Sequence, residues 1–506
     1  MQESNPNLKI GKPYDKEIEA VVKKEYAHVL EDGIIHMTAG ANHPIAKTPM
    51  RQFYEFIANN PLTSNHGSDP ISKNTDQIIH DVFALFKGLY NSEDFYEISP
   101  HGSSPGLDAI FTHLSYDNSI LVIPQTVHNS AMNPPILQNE LDGFRGLNTS
   151  DFVRWELKPE DLSFNMERLE RVVGSAKKER KRVSLLLPVV ANGTGQGYSI
   201  GDVSEVVRKQ GWIIADGIQD MPPQYLSRYN NLLAYVNGGH KAGAFTHSGI
   251  TFINSENIDN NEIFPPYKFS GFGGSVESAM MGNIALAKGV KKFATGTDNF
   301  HGLVMMGLVY SFIAGQIGFE NAHRQKQAVC KIIFNGIKDL EYVNLMNGKF
   351  NNDGEKEYSG STAISWCLGK EADRMITHDK VHEILAHKYR IMDRNGCLCT
   401  AEIIAFYFGF MDELQKYIER YNRWSGTQKQ KFGINRLTPG NYSLIEHAYR
   451  VVEAIIEIHD VYKSQGMPGI DQLHDQVMRE PLVFDRTYEN YKKIMKRNLG
   501  SLNIRL

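Results

Sequence analysis

The sequence predicts an α/β protein, with a large lobe built on a mostly parallel sheet and a smaller α+β lobe after it. Two observations carry this. Short apolar runs of strand length alternate with helical segments over roughly the middle two hundred residues, the pattern of a sheet covered on both faces. Beyond an uncharged stretch at 300–319 the chain becomes more polar and its elements become mixed.

The elements follow in order. Residues 1–30 read as a polar arm carrying a helix at Lys16–Leu30. Asp76–Leu89 (DQIIHDVFALFKGL) has apolar residues at helical spacing. Ser119–Pro124 (SILVIP), Val183–Val190 (VSLLLPVV), Trp212–Ala215 (WIIA) and Gly249–Ile253 (GITFI) are strand candidates. Their near-continuous apolar character fits strands buried on both faces. An amphipathic helix at Val203–Gln210 joins the second to the third. Phe300–Phe319 has the length of a membrane span, but it carries His301, Ser311, Gln316 and several glycines. It is expected to be a buried helix. Asn351–Gly360 (NNDGEKEYSG) reads as an exposed loop. Ala363–Leu368, Tyr389–Met392 and helices around Ala401–Asn422 and Leu444–Tyr462 make the smaller lobe. The charged tail, with Pro468 and Pro481, is expected to wrap the surface. The resulting layout is an arm at 1–30, a large domain at 31–325, a small domain at 326–462 and an extension at 463–506.

Composition narrows the function classes. The chain has 506 residues, 54 Lys+Arg and 58 Asp+Glu, a net charge of −4. That balance lacks the basic excess of a nucleic-acid binder. With 41% hydrophobic and 22% charged residues the chain is ordinary globular material. Four cysteines exclude a disulfide scaffold and fit a reducing compartment. The polar start (MQESNPNLKIGKPYDKE) has no apolar core of a secretory signal. The expectation is a cytoplasmic protein with neither nucleic-acid nor membrane partner.

Four segments carry chemistry. Ser99–Gly106 (SPHGSSPG) precedes the apolar run Leu107–Leu114. Small residues at a helix start leave backbone N–H groups free beside serine hydroxyls, an anion cradle or simply a turn and cap. Trp212–Gln219 (WIIADGIQ) puts a carboxylate, Asp216, at the C-terminal end of a strand, where open α/β sheets bind ligands; a capping Asp is the plain alternative. Asn237–Lys241 (NGGHK) sets a lysine in a glycine-rich, charge-poor stretch, 25 residues after Asp216. Desolvation there would lower its pKa and suit a Schiff-base nucleophile; a surface-turn lysine is the other reading. Arg394–Cys399 (RNGCLC) is followed by Arg436 in Asn435–Tyr442 (NRLTPGNY). No second cysteine pair and no His-x-x-x-His accompany it, so no metal site is expected.

In this order and spacing the segments resemble the class V aminotransferase superfamily of fold-type I pyridoxal-phosphate enzymes, and within it the cysteine desulfurases and selenocysteine lyases. The resemblance runs from about Ile34 to Ile455. It implies a large domain with a seven-stranded, mostly parallel sheet, pyridoxal 5'-phosphate as cofactor and a homodimer with shared sites. It also implies roles. Lys241 matches the lysine that holds the cofactor covalently. Asp216 matches the partner of the ring nitrogen, Gln219 and Asn192 the contacts near the phenolic oxygen, and His128 the residue stacked on the ring. Ser103, Ser104 and His240 match phosphate contacts, and Thr297 matches a threonine that reaches the phosphate of the neighbouring subunit. Arg436 matches the arginine that grips the substrate α-carboxylate, with Arg394 beside it. Cys399 matches the catalytic cysteine, which takes sulfur from cysteine and hands it to an acceptor protein. A nearby arginine would lower its thiol pKa.

The chain also departs from the family pattern. Cys397 and Leu398 stand where histidines are usual, Pro105 replaces a glutamate, and Tyr442 is followed by Ser-Leu instead of Asn-Thr. Cofactor positions thus follow the pattern more closely than substrate positions. The alternatives are an aminotransferase, epimerase or side-chain lyase that uses no cysteine, and a non-catalytic dimeric scaffold.

Overall fold

The computed structural model describes residues 14–30, 33–63, 67–132, 152–219, 223–266, 276–280, 283–294, 296–351, 353–360, 362–369, 376–419, 433–479 and 486–499. Residues 1–13 of the expected N-terminal arm, residues 420–422 of one expected helix, and Pro481 lie outside them.

The helices α1 (Lys16–Glu25), α2 (Lys47–Asn59) and α3 (Pro70–Tyr90) lead into the sheet. Asp69 caps α3 by accepting hydrogen bonds from the Ile71 and Ser72 N–H groups, and Pro70 occupies the first turn. Seven strands then form one sheet: β1 (Phe95–Ile98), β2 (Ser119–Pro124), β3 (Phe152–Trp155), β4 (Arg182–Pro188), β5 (Gly211–Asp216), β6 (Leu232–Gly238) and β7 (Gly249–Asn254). Their order is β1-β7-β6-β5-β4-β2-β3. The pairs from β6 through β3 are parallel, while β7 runs antiparallel to both β6 and β1. The expected seven-stranded, mostly parallel sheet is therefore present.

Alternation along the strands splits the core in two. Leu185, Leu187, Ile213, Ala215 and Tyr235 face one side, packed with Leu303, Met306 and Tyr310. Leu186, Ile214, Ala234 and Val236 face the other, packed with Leu107, Ile110 and Phe111 of α4 (Ser103–His113). After α5 (Met166–Lys178) and α6 (Ile200–Val207), the uncharged stretch forms α7 (Phe300–Phe312) and a π turn to Ile317, and 61% of Phe300–Ile317 is buried within the fold. Being apolar all round, it packs as a core helix. Gly318, at φ +82°, ends it before α8 (Phe319–Ile337), so the expected single helix to Phe319 stops two residues early.

A second, antiparallel sheet follows: β8 (Val343–Leu345), β9 (Ile364–Leu368), β10 (Arg394–Gly396) and β11 (Ile434–Leu437), in the order β8-β9-β11-β10. The helices α8, α9 (His378–Tyr389) and α11 (Ile445–Arg479) cover it around Trp366, Ile384 and Ile455. Three expectations are corrected here. Asn351–Gly360 is not a plain loop. It contains most of a hairpin in which Gly348 pairs with Tyr358 and Phe350 with Lys356. The helix expected from Ala401 breaks at Gly409 (φ +74°), giving α10 (Ala401–Phe408) and a second piece, Met411–Glu419. The tail does not begin at 463. Helix α11 runs on to Arg479, interrupted at Gly466 (φ +63°). Its distal part buries Ile470 and pairs with α9 through Lys380–Asp471 and His474–Glu383, both 2.5 Å.

Candidate active site

A parallel sheet gathers its C-terminal strand ends along one edge, and here four of them converge. The order reverses between β2 and β4, opening the crevice where such sheets hold ligands. Thr126 and His128 follow β2, Pro188 ends β4, Asp216 ends β5, and His240 and Lys241 follow β6. All of them line one cavity of about 240 Å³. Ser103 and Ser104, at the start of α4, and Arg394, Cys399 and Arg436, from the second sheet and its loop, complete it with Asn192 and Gln219. Of the twelve residues named from sequence only Thr297 is outside. Its carbonyl lies 3.1 Å from His101 Nε2, beside the serine segment.

The positions are locally enforced. Gly102, at φ +110°, turns the chain so that Ser103 and Ser104 begin α4, whose first N–H groups have no partner within the helix. A Cβ on Gly106 would stand 2.5 Å from Thr251 Oγ1, so only glycine lets this turn lie against the sheet. The Asn237 amide braces the end of β6 by donating to the hydroxyls of Tyr90 (2.6 Å) and Tyr310 (2.8 Å). A 3-10 turn over Gly239–Lys241 then points the lysine inward.

Asn192 is the hub. Its Oδ1 accepts from Gln219 Nε2 (2.6 Å), Arg436 Nη1 (3.0 Å) and Lys241 Nζ (3.4 Å), and its Nδ2 donates to the Leu398 carbonyl (2.6 Å). One side chain thus ties the lysine, the arginine and the cysteine loop together. Sequence reasoning had made it only a cofactor contact. Ser130 was also missed. Its N–H donates to His128 Nδ1 (3.1 Å), which leaves the ring proton on Nε2.

Electrostatics follow from burial in a positive site. Burial, then the charge of Arg436, pulls the Lys241 pKa down to about 7, against the opposing pull of Asp216 and Cys399. Burial, Lys241 and Arg436 lower His128 to about 4, so its ring is neutral. Burial raises the Asp216 carboxyl, which accepts a hydrogen bond from the Ile218 N–H (3.2 Å). The Cys399 thiol corrects an expectation. Burial and Cys397 raise its pKa, and Arg394, Lys241 and Arg436 oppose this without prevailing. Cys399 sits in a tight turn closed by the Thr400 N–H on the Cys397 carbonyl (2.9 Å), with Leu398 at φ +52° and Cys399 at φ +56°. Two successive left-handed residues without glycine cost about 1–2 kcal/mol each.

Residues 162–407 match the profile of the aminotransferase class-V family. This part of the chain is of the class-V aminotransferase family. No curated protein matches by sequence. Among solved structures, the chain is similar to the cysteine desulfurase CsdA of Escherichia coli, at 14% identity and TM-score 0.66 over 88% of this chain and 98% of that one. It is also similar to a cysteine desulfurase of Thermococcus onnurineus, at 16% and 0.68 over 88% and 99%. A NifS-like protein of Rickettsia africae matches at 13% and 0.59 over 84% and 99%. The fold is that of fold-type I pyridoxal-phosphate enzymes, and residues 162–407 carry the match to a family of PLP-dependent transferases and lyases. The donor set fits the cofactor. A helix start with two serines and His240 suits a phosphate. The neutral His128 ring offers an aromatic face. The buried Asp216 carboxylate suits a protonated ring nitrogen, and Lys241, at about 7, is an available amine.

Proposed function

We propose that the protein acts on a small α-amino acid, with Cys399 as the acceptor of the substrate's sulfur. The single observation behind this is that Cys399 lines the same cavity as Lys241 and Arg436. Bound pyridoxal phosphate would act as the sink for electrons released at the α-carbon. The chain's residues do the rest. Ser103, Ser104, His240 and the α4 N-terminus hold the phosphate, and Asp216 keeps the ring nitrogen protonated. Arg436 grips the α-carboxylate as a fork. Lys241, half-protonated near neutrality, takes and returns the α-proton at Nζ. The Cys399 thiolate attacks the substrate sulfur. An S–S bond forms as the Cβ–S bond breaks, the electron pair stays with carbon, and protonation yields alanine and a Cys399 persulfide. A second protein could then accept that sulfur.

One observation favours a second reading. The raised Cys399 pKa leaves little thiolate at neutral pH. A transamination, epimerisation or side-chain elimination run by Lys241 alone needs none. The experiment that separates the two is turnover of L-cysteine by wild type and Cys399→Ala, with alanine and sulfide measured. Loss of both in the variant supports the first reading. Intact alanine formation, or turnover only of other amino acids, refutes it. A homodimer completed by Thr297 belongs to the same reading. Gel filtration with light scattering tests it, and a monomer would sink it.

A further inference from the structure

The four cysteines divide into two kinds. Cys330 and Cys367 are buried, and burial pushes both thiols up to about 12. Cys397 and Cys399 are exposed and stand two positions apart in the loop after β10. Only the second has a part in the chemistry above. Cys399 lines the cavity together with Leu398, and Cys397 lies outside that lining. The loop therefore carries one thiol on the cavity wall and one beyond it. The charge of Cys397 raises the Cys399 pKa, so the two sulfurs sense each other.

The loop itself is pinned. Leu398, between the two thiols, is 6% exposed and belongs to the core that packs Leu185 and Met306. The carbonyls of all three residues are held. The Thr400 N–H (2.9 Å) and Oγ1 (3.2 Å) donate to that of Cys397. Asn192 Nδ2 (2.6 Å) donates to that of Leu398, and the Asn129 N–H (3.1 Å) to that of Cys399. A turn closed in this way keeps its ends within about 7 Å, so the two thiols stay neighbours. Swinging Cys399 out to meet a partner would uncover Leu398 and break these bonds. Sulfur on the cavity wall therefore leaves more readily by exchange between thiols than by motion of the loop.

We propose that Cys397 is a relay thiol, which takes the outer sulfur of the Cys399 persulfide and presents it beyond the cavity to an acceptor thiol. This rests on the reading that Cys399 receives the substrate's sulfur. The Cys397 thiolate attacks the outer sulfur of the persulfide. An S–S bond forms at Cys397 Sγ as the bond from Cys399 Sγ to that sulfur breaks. The electron pair stays on Cys399 Sγ, which takes up the proton that Cys397 gave up. The exchange consumes neither oxidant nor reductant. It also returns Cys399 to the thiol state while the first sulfur waits outside, so one chain can hold two sulfurs before any acceptor arrives.

The test gives the cofactor-loaded protein a slight excess of L-cysteine, without oxygen or added thiol, and quenches it at intervals. Alanine is counted, and the alkylated peptides are fragmented by mass spectrometry to find which cysteine carries the extra sulfur. In wild type the sulfur should appear first on Cys399 and then on Cys397, with a burst of about two alanines per chain. Cys397→Ser should stop after about one alanine per chain, with its sulfur held on Cys399. Sulfur that never leaves Cys399 in wild type, or equal bursts in wild type and Cys397→Ser, overturns the relay and leaves the acceptor reading intact. So does a Cys397–Cys399 disulfide with free sulfide, the product of attack on the inner sulfur. No alanine from wild type, or as much from Cys399→Ser, sinks the acceptor reading and the relay with it. The sulfur mapping on wild type decides the matter if the Cys397 variant does not fold.

Discussion

Replacing Lys241 by methionine removes a charge that folding has driven out of water while leaving a chain of similar length. In the cofactor-free protein the lysine titrates near 7 against an ordinary 10.5. Between those values the unfolded chain holds a proton that the folded chain does not, so this group makes stability rise with pH. At 1.36 kcal/mol per unit, the cost of the charge to the folded state is about 4 kcal/mol at pH 7 and about 2 kcal/mol at pH 9. Cavity water screens part of it, so both are upper values. Urea unfolding of cofactor-free wild type and Lys241→Met at pH 7, 8 and 9 reads the difference directly, because every other titrating group is common to both. The variant should be more stable at pH 7, with the gap narrowing by about 2 kcal/mol by pH 9. A gap that stays constant with pH, or a variant less stable throughout, would refute a desolvated lysine.

Asn192→Ala removes the acceptor shared by Gln219, Lys241 and Arg436. Hydrogen bonds to charged groups contribute about 1.5–3 kcal/mol, so amino-acid affinity in spectral titration should fall at least tenfold; a change under twofold would deny the hub its role. Gly106→Ala forces a Cβ to 2.5 Å from Thr251 Oγ1 and 3.0 Å from Val236 Cγ1. Overpacking of this kind costs about 1–3 kcal/mol, visible as a lower melting temperature and weaker phosphate binding. His382 pairs with the buried Asp393, whose hydrogen bond raises the imidazole pKa above its ordinary value. That contribution is complete below the unfolded pKa of 6.5 and is lost as pH rises through the folded value. Stability measured from pH 5.5 to 8 should therefore decline less in His382→Gln than in wild type; parallel profiles would count against the pair.

Much of the large lobe was legible because its central strands are buried on both faces. Such strands read as apolar blocks, as in Leu185–Leu187 and Trp212–Ala215. The edge strands β1 and β3 were not legible, since each is four residues long and partly exposed, with polar or charged residues breaking the pattern. The hairpin around 351–355 hid behind turn-rich composition, because a hairpin is written in the same Asn, Asp and Gly as a loop. Helix α2 was missed for a related reason. It begins at Lys47 without a side-chain cap and buries only Pro49, so neither a start signal nor a full apolar stripe marks it. The site residues were legible as an ordered set of motifs, but their connection was not. That Asn192 reaches Leu398 and Arg436 depends on chain segments over 200 residues apart. No local pattern encodes such a meeting. The direction of the Cys399 shift was misread because arginines nearby in sequence suggest attraction, while partial loss of water around the thiol, with Cys397 beside it, outweighs them although the residue stays exposed.

The order in which the cavity's parts leave the ribosome is also written in the fold. The seven-stranded sheet is complete at Asn254, and by then Ser103, Asn192, Asp216 and Lys241 have all been made. Arg394, Cys399 and Arg436 arrive only after another 140 residues or more of chain. A nascent chain can thus assemble the phosphate and ring contacts before it owns the groups that grip a substrate.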